Sequence, residues 1–198
     1  MKKSVIFAAV CLTAVSIFYT SCKKSTSTTT TTPTPTPAGP TLYTRVGGTA
    51  MVQDPKASTG TMIEAGRLTL RSVVDSSIIV IAADAQLQPY FGALFAELGA
   101  GNTSGLTALS QNFTDFMCTA TGATNSAYMY GGKSMKDAHN PAYNNRISEK
   151  ISAADFDKFV GDIGTGLAKN GVTSANNAQL VTDLVALLNT TKSDIVQR

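Results

Sequence analysis

The chain has 198 residues and one histidine, His139, set in Met135-Lys136-Asp137-Ala138-His139-Asn140-Pro141. By local sequence alone this stretch reads as a surface loop. A single imidazole limits the chemistry available. Structural zinc needs about four protein ligands, and Cys11, Cys22 and Cys118 form no CxxC pair. No Ser-His-Asp arrangement has support either. Asp155 and Asp157 stand where a helical pattern begins, so they read as charges complementing a helix N-terminus rather than an acid–base pair. Cys118 reads as a small core residue, and Met117 and Met135 as packing rather than axial sulfur. One imidazole can still fill an axial position on a macrocycle that brings its other ligands itself.

The elements that would hold such a residue read as helices. Ser152-Ala153-Ala154-Asp155 has the form of a capping box with Asp in the Glu position. Phe156, Phe159, Val160, Ile163 and Leu167 follow at helical spacing, and Lys169-Asn170-Gly171 supplies a basic last turn and a stop. Leu180, Val181, Leu184, Leu187 and Leu188 make a final stripe that Ile195 extends. Upstream, Leu106, Leu109, Phe113, Phe116 and Met117 form another stripe ended by Gly122, and 91–98 suits a short helix closed by Gly99. Residues 73–83 contain Ile78-Ile79-Val80-Ile81, a strand by propensity. No alternating partner strand or hairpin signal accompanies it, so it is assigned to a helix. The expectation is an all-α domain of about five helices.

Residues 1–21 read as an export signal: Met1-Lys2-Lys3, an apolar run, then Ser21 before Cys22. Tyr19-Thr20-Ser21-Cys22 resembles a bacterial lipobox, which implies cleavage before Cys22 and lipidation of its thiol. An uncleaved anchor is the alternative, although the run is marginal for a bilayer. Residues 22–41 then form a Ser/Thr/Pro-rich linker whose alternating prolines keep it extended. The folded domain is expected over 42–198. The formal charge of +3 falls to +1 without Lys2 and Lys3, and to −1 without Lys23 and Lys24. No basic patch argues for nucleic acid. The expected location is the cell envelope, lipid-anchored on the periplasmic or outer-membrane side.

Several segments, taken in order, resemble group 1 truncated haemoglobins. Leu42-Tyr43-Thr44-Arg45-Val46-Gly47-Gly48 resembles the family's opening. Val73-Val74-Asp75 with Leu87-Gln88-Pro89-Tyr90-Phe91 resembles its second helix and following turn. Phe116-Met117 leading to Ala120-Thr121-Gly122-Ala123 resembles the end of the distal helix. Tyr130-Gly131-Gly132-Lys133-Ser134-Met135-Lys136-Asp137-Ala138-His139 resembles the haem-ligand segment, and 153–172 and 180–196 the last two helices. The resemblance implies a two-over-two helical sandwich around haem b, with His139 on the iron. It also implies that Ile78, Leu109, Phe113, Phe116 and Met135 line the haem. Lys133, Lys136 and Arg146 read as solvated, with haem carboxylates as alternative partners.

The departures from the family are chemical. Ile78 stands where the family usually has a ligand-binding tyrosine, and Leu109 and Phe113 occupy distal positions that usually include a polar residue. About fifteen extra residues, within 50–69, read as a surface excursion. A pocket without a hydrogen-bond donor would hold dioxygen loosely relative to carbon monoxide. The resemblance implies a protein that binds a diatomic gas (dioxygen, nitric oxide or carbon monoxide), or that passes electrons from an unidentified donor. A haem enzyme detoxifying nitric oxide or peroxide would need a distal donor, with Tyr128 or Tyr130 as candidates. A haem-free envelope interaction protein is the third reading.

Overall fold

The structure is a computed structural model that describes residues 39–198; the signal sequence, Cys22 and most of the linker lie outside the described residues. The elements run α1 (Leu42–Arg45), β1 (Met51–Gln53), β2 (Met62–Glu64), α2 (Ala65–Ala83), a 3-10 turn (Gln88–Phe91), α3 (Gly92–Gly99) and α4 (Ser104–Thr121). A second 3-10 turn (Ser126–Tyr128), α5 (Met135–Ala138), α6 (Ala153–Lys169), α7 (Ser174–Asn189) and α8 (Lys192–Ile195) follow. The β-branched run therefore lies inside a helix. Burial explains it: Val73, Val74, Ser77 and Ile81 face inward, and tertiary packing outweighs strand propensity.

Helix α2 packs against both α4 and α6, and α6 against α7. These four long helices make the two-over-two sandwich. Its centre holds Leu70, Val74, Met117, Phe156, Ile163 and Leu184, each at most 2 % exposed. Removing such a side chain typically costs about 2–5 kcal/mol. The crossing of α2 and α6 is close at one point: a Cβ on Gly166 would lie 2.0 Å from the Ser77 hydroxyl. Ser77 is fully buried and donates to the Val73 carbonyl at 2.8 Å, so its polar atom has a partner.

The helix ends follow the local signals. The Ser152 side chain accepts from the Asp155 N–H while Asp155 accepts from the Ser152 N–H, completing the capping box of α6. Gly122, with φ +92°, closes α4, and Gly171, with φ +77°, follows the end of α6.

The segment between Gly48 and α2 departs from expectation. It is an antiparallel hairpin in which Val52 pairs with Ile63, and α2 begins at Ala65, inside the stretch read as an excursion. Its loop and most of β1 are surface features, while the end of β2 is not. Ile63 and Glu64 are each 6 % exposed, and the Arg71 guanidinium holds Asp54 through two bonds of 2.6 and 2.9 Å. That pairing holds the Asp54 carboxyl down at about 2. The hairpin went unseen because its strands have three residues each and eight residues separate them.

Candidate functional site

His139 ends the one-turn helix α5. A helix this short leaves all its carbonyls without helical partners, yet each one finds a donor. The His139 Nδ1 lies 2.8 Å from the Met135 carbonyl, which also receives the His139 N–H at 3.3 Å. Lys136 O accepts from Gln197 Nε2 at 2.8 Å, Asp137 O from the Asn140 N–H at 3.4 Å, and Ala138 O from Asn144 Nδ2 at 2.7 Å. At the other end Ser134 caps the helix by accepting from the Asp137 N–H at 3.1 Å.

The bond to Met135 decides the state of the ring. A carbonyl only accepts, so Nδ1 carries the hydrogen. Burial pushes the His139 pKa below the usual imidazole range, against the Met135 bond, which raises it. Burial favours the neutral ring, and in that form the hydrogen on Nδ1 leaves the lone pair on Nε2. A neutral imidazole oriented through its other nitrogen is a prepared metal ligand.

A second feature lies between α2, α3, α4 and α6. It is a cavity with about 40 Å³ of water-sized space, lined by Ile78, Ile81, Ala82, Phe91, Leu94, Phe95, Leu109, Phe113 and Phe159. None of these side chains has a polar atom. The space is above the roughly 10–15 Å³ that a single water-sized molecule needs, so it can take a diatomic molecule, and the apolar lining offers a water no hydrogen bond. The rings of Phe113 and Phe159 stand 5.9 Å apart at 36°.

The structure thus brings Ile78, Leu109 and Phe113 together on one cavity. Phe116 and Met135 are not on it. Both are half-buried against the core, and Phe116 meets the edge of Tyr130 with ring centroids 6.1 Å apart. Phe91 and Phe159, absent from the sequence-derived lining, belong to it. Their signal was present as helical spacing in α6 and as the turn after Pro89, but spacing alone does not say which core face is hollow.

The residues present fit a haem. The donor set offers one neutral imidazole with a free Nε2. Phe91, Phe113, Phe116, Met135, Ile147 and Phe159 come from several elements and are half-buried against the core, apolar surface of the type that a macrocycle can cover.

Of the candidate distal donors, Tyr130 has its hydroxyl engaged elsewhere, and Tyr128 carries a cation on its ring face. The Tyr130 hydroxyl donates to the Lys133 carbonyl at 2.7 Å, and the Arg67 guanidinium lies 4.3 Å from the Tyr128 ring centre. Among the basic residues read as solvated, Arg146 grips Glu97 through bonds of 2.7 and 2.8 Å, and Lys133 donates to the Tyr143 carbonyl. Lys136 is exposed.

No protein-family model matches this chain, and no curated protein matches it. Two solved structures of truncated hemoglobin from Tetrahymena pyriformis do match in shape. Both are Fe(III) forms; one has a tyrosine replaced by phenylalanine, the other a glutamine replaced by glutamate. Each comparison covers 80 % of this chain and 100 % of that one, with a TM-score of 0.54 and 18 % identity. The chain has the truncated-globin fold.

Proposed function

We propose that the chain is a haem-binding globin of the group 1 truncated type that binds a diatomic gas or passes electrons. The observation that carries the reading is the Nδ1–H of His139 donated to the Met135 carbonyl, which leaves Nε2 as the one prepared imidazole lone pair. Haem b, when bound, supplies an iron centre that takes up dioxygen, nitric oxide or carbon monoxide and exchanges single electrons. His139 would hold the iron through Nε2. Phe91, Phe113, Phe116, Met135 and Phe159 would cover the ring and exclude water. Ile78, Leu109 and Phe113 would leave space for a small apolar ligand without offering it a hydrogen bond. That lining favours binding over chemistry that needs a stabilised dioxygen, and so disfavours nitric-oxide or peroxide turnover. An unidentified electron donor remains part of the proposal.

The same reading puts the domain at the cell envelope. Residues 1–21 would be removed, Cys22 would carry lipid, and the linker to residue 41 would tether the domain to the periplasmic or outer-membrane side. Its partners would be a gas and a membrane, not nucleic acid.

Haem added to the purified protein tests this. The expected result is stoichiometric uptake with a histidine-ligated absorption spectrum. The His139→Ala variant is expected to lose that spectrum and regain much of it with free imidazole. A parent protein that takes up no haem overturns the reading and leaves an envelope interaction protein. A variant whose spectrum equals the parent's assigns the iron to another residue.

A further inference from the structure

Gln197 lies 58 residues beyond His139 in sequence, yet it grips the turn on both sides of it. Its Nε2 donates to the Lys136 carbonyl at 2.8 Å and to the Asp194 carbonyl at 3.2 Å, and its Oε1 accepts from Asn140 Nδ2 at 2.7 Å. The network fixes both amide orientations. Two carbonyls face Gln197 Nε2 and can only accept. Asn140 Oδ1 is taken by the Ala142 N–H at 2.9 Å, so its Nδ2 faces Gln197.

Gln197 is itself anchored. Its N–H donates to the Ile151 carbonyl at 3.0 Å, next to the parallel bridge between Ile151 and Val196. Ile195 is buried just before it. Arg198, just after it, donates to the Tyr90 hydroxyl at 2.9 Å and to Asp155 at 3.1 Å. The segment that carries Gln197 is thus fastened to the first turn of α6, and the amide reaches from there to α5.

A four-residue helix cannot hold its own end. Helix nucleation is unfavourable, and one turn supplies too few internal bonds to persist alone. His139 is the C-cap of that turn, so the aim of its ring depends on what holds the turn. From this geometry we infer that Gln197 is a positioning residue for His139: it captures Lys136 O and the Asn140 side chain as a clamp, fixes the turn, and so fixes the direction of Nε2. The functional consequence rests on His139 being the iron ligand; the positioning itself does not.

Two measurements separate these. The first uses the haem-free protein and reads amide hydrogen exchange. In Gln197→Ala, the amides of Ala138, His139 and Asn140 are expected to exchange at least about tenfold faster, since two side-chain hydrogen bonds to the turn are lost and each contributes about 0.5–1.5 kcal/mol, while α6 amides keep their rates. Gln197→Glu still accepts from Asn140 but cannot donate to Lys136 O, so it is expected to fall between parent and Gln197→Ala. Asn140→Ala added to Gln197→Ala is expected to add less than it costs alone, since the Asn140–Gln197 contact is then already gone and only the bond from the Ala142 N–H remains to lose. The second measurement follows haem transfer to an excess of a haem-free acceptor. Gln197→Ala is expected to release haem about tenfold faster, with a shifted iron–histidine stretching band in the ferrous protein. Unchanged exchange at residues 138–140, or an equal rise across α6, overturns the clamp. Faster local exchange with no change in haem release or in the band overturns its role toward the ligand. A parent that takes up no haem defeats the functional reading, and the exchange result still decides the clamp.

Discussion

The Tyr90 hydroxyl donates to the Asp155 carboxylate across 2.6 Å, joining the turn that presents Phe91 to the first turn of α6. Asp155 is 7 % exposed, and it also receives Ser152 Oγ at 2.5 Å, Gln86 Nε2 at 3.0 Å and Arg198 at 3.1 Å. Burial raises its pKa, but the bonds from Ser152, Tyr90 and Gln86 outweigh that and hold it well below the usual carboxylate range. Burial and the same carboxylate push the Tyr90 hydroxyl up.

Two outcomes are expected at this carboxylate. Asp155→Ala should lower unfolding stability by about 1–3 kcal/mol in urea titration, the usual cost of stranding a buried hydrogen-bonding group, because its charged partner Arg198 is half-exposed. The folded pKa is depressed, so the stability that Asp155 contributes is complete above its unfolded value, about 3.9, and fades as pH falls through the folded value. Asp155→Asn should therefore show a flatter loss of stability below pH about 4 than the parent. An identical acid limb would mean that the network contributes nothing through charge.

Ile78→Tyr should introduce a hydroxyl beside Leu109 and Phe113, which share its cavity. In the haem-loaded protein, dioxygen release is expected to slow by about ten- to hundredfold, the size of one charge-assisted hydrogen bond. Carbon monoxide release should change less. Ile78 also borders a wider polar cleft with Lys56, Arg71 and Thr107. Unchanged dioxygen release would mean that the new ring turns into that cleft.

The hairpin separates into a removable and an irremovable part. Replacing 55–60 by a shorter turn should leave the melting temperature nearly unchanged, because those residues are exposed. Glu64→Ala should cost about 1–3 kcal/mol for the buried partner it strands. The buried partner is the Tyr43 hydroxyl at 2.7 Å; Asn125 Nδ2, at 2.9 Å, is only half-buried. Equal tolerance of both changes would count against the packing described for β2.

Cys22→Ala should abolish acyl labelling and move the protein from the membrane to the soluble fraction, provided the signal is still cut. Acyl labelling that persists in the variant would overturn the lipobox reading of Ser21-Cys22.

The legible parts of the fold were those written in local sequence. Ser152 and Asp155 marked the start of α6, and Gly122 the end of α4, because caps are short-range chemistry. Helix α2 was legible only by exclusion, and its first residues were assigned to a loop since Ala65, Gly66 and Thr69 make no clear stripe. At the site, His139 stood out as the lone imidazole, but its tautomer depends on a carbonyl four residues away that only a formed turn presents. Gln197 carried no signal at all, because nothing local tells a glutamine that clamps a turn from one in water. Ser77 and Gly166 read as unremarkable small residues until the two helices were seen to cross there.

That crossing has a kinetic consequence. With no side chain on Gly166 and the Ser77 hydroxyl turned back to its own helix, α2 and α6 meet almost backbone to backbone. Parting them would break packing along both helices, a collective motion of microseconds or longer. Rotation of Ile78 or Phe113, each half-buried, needs no such parting of the helices. A small molecule entering beside Ile78 would therefore wait on side-chain rotation, with the helices acting as a fixed frame.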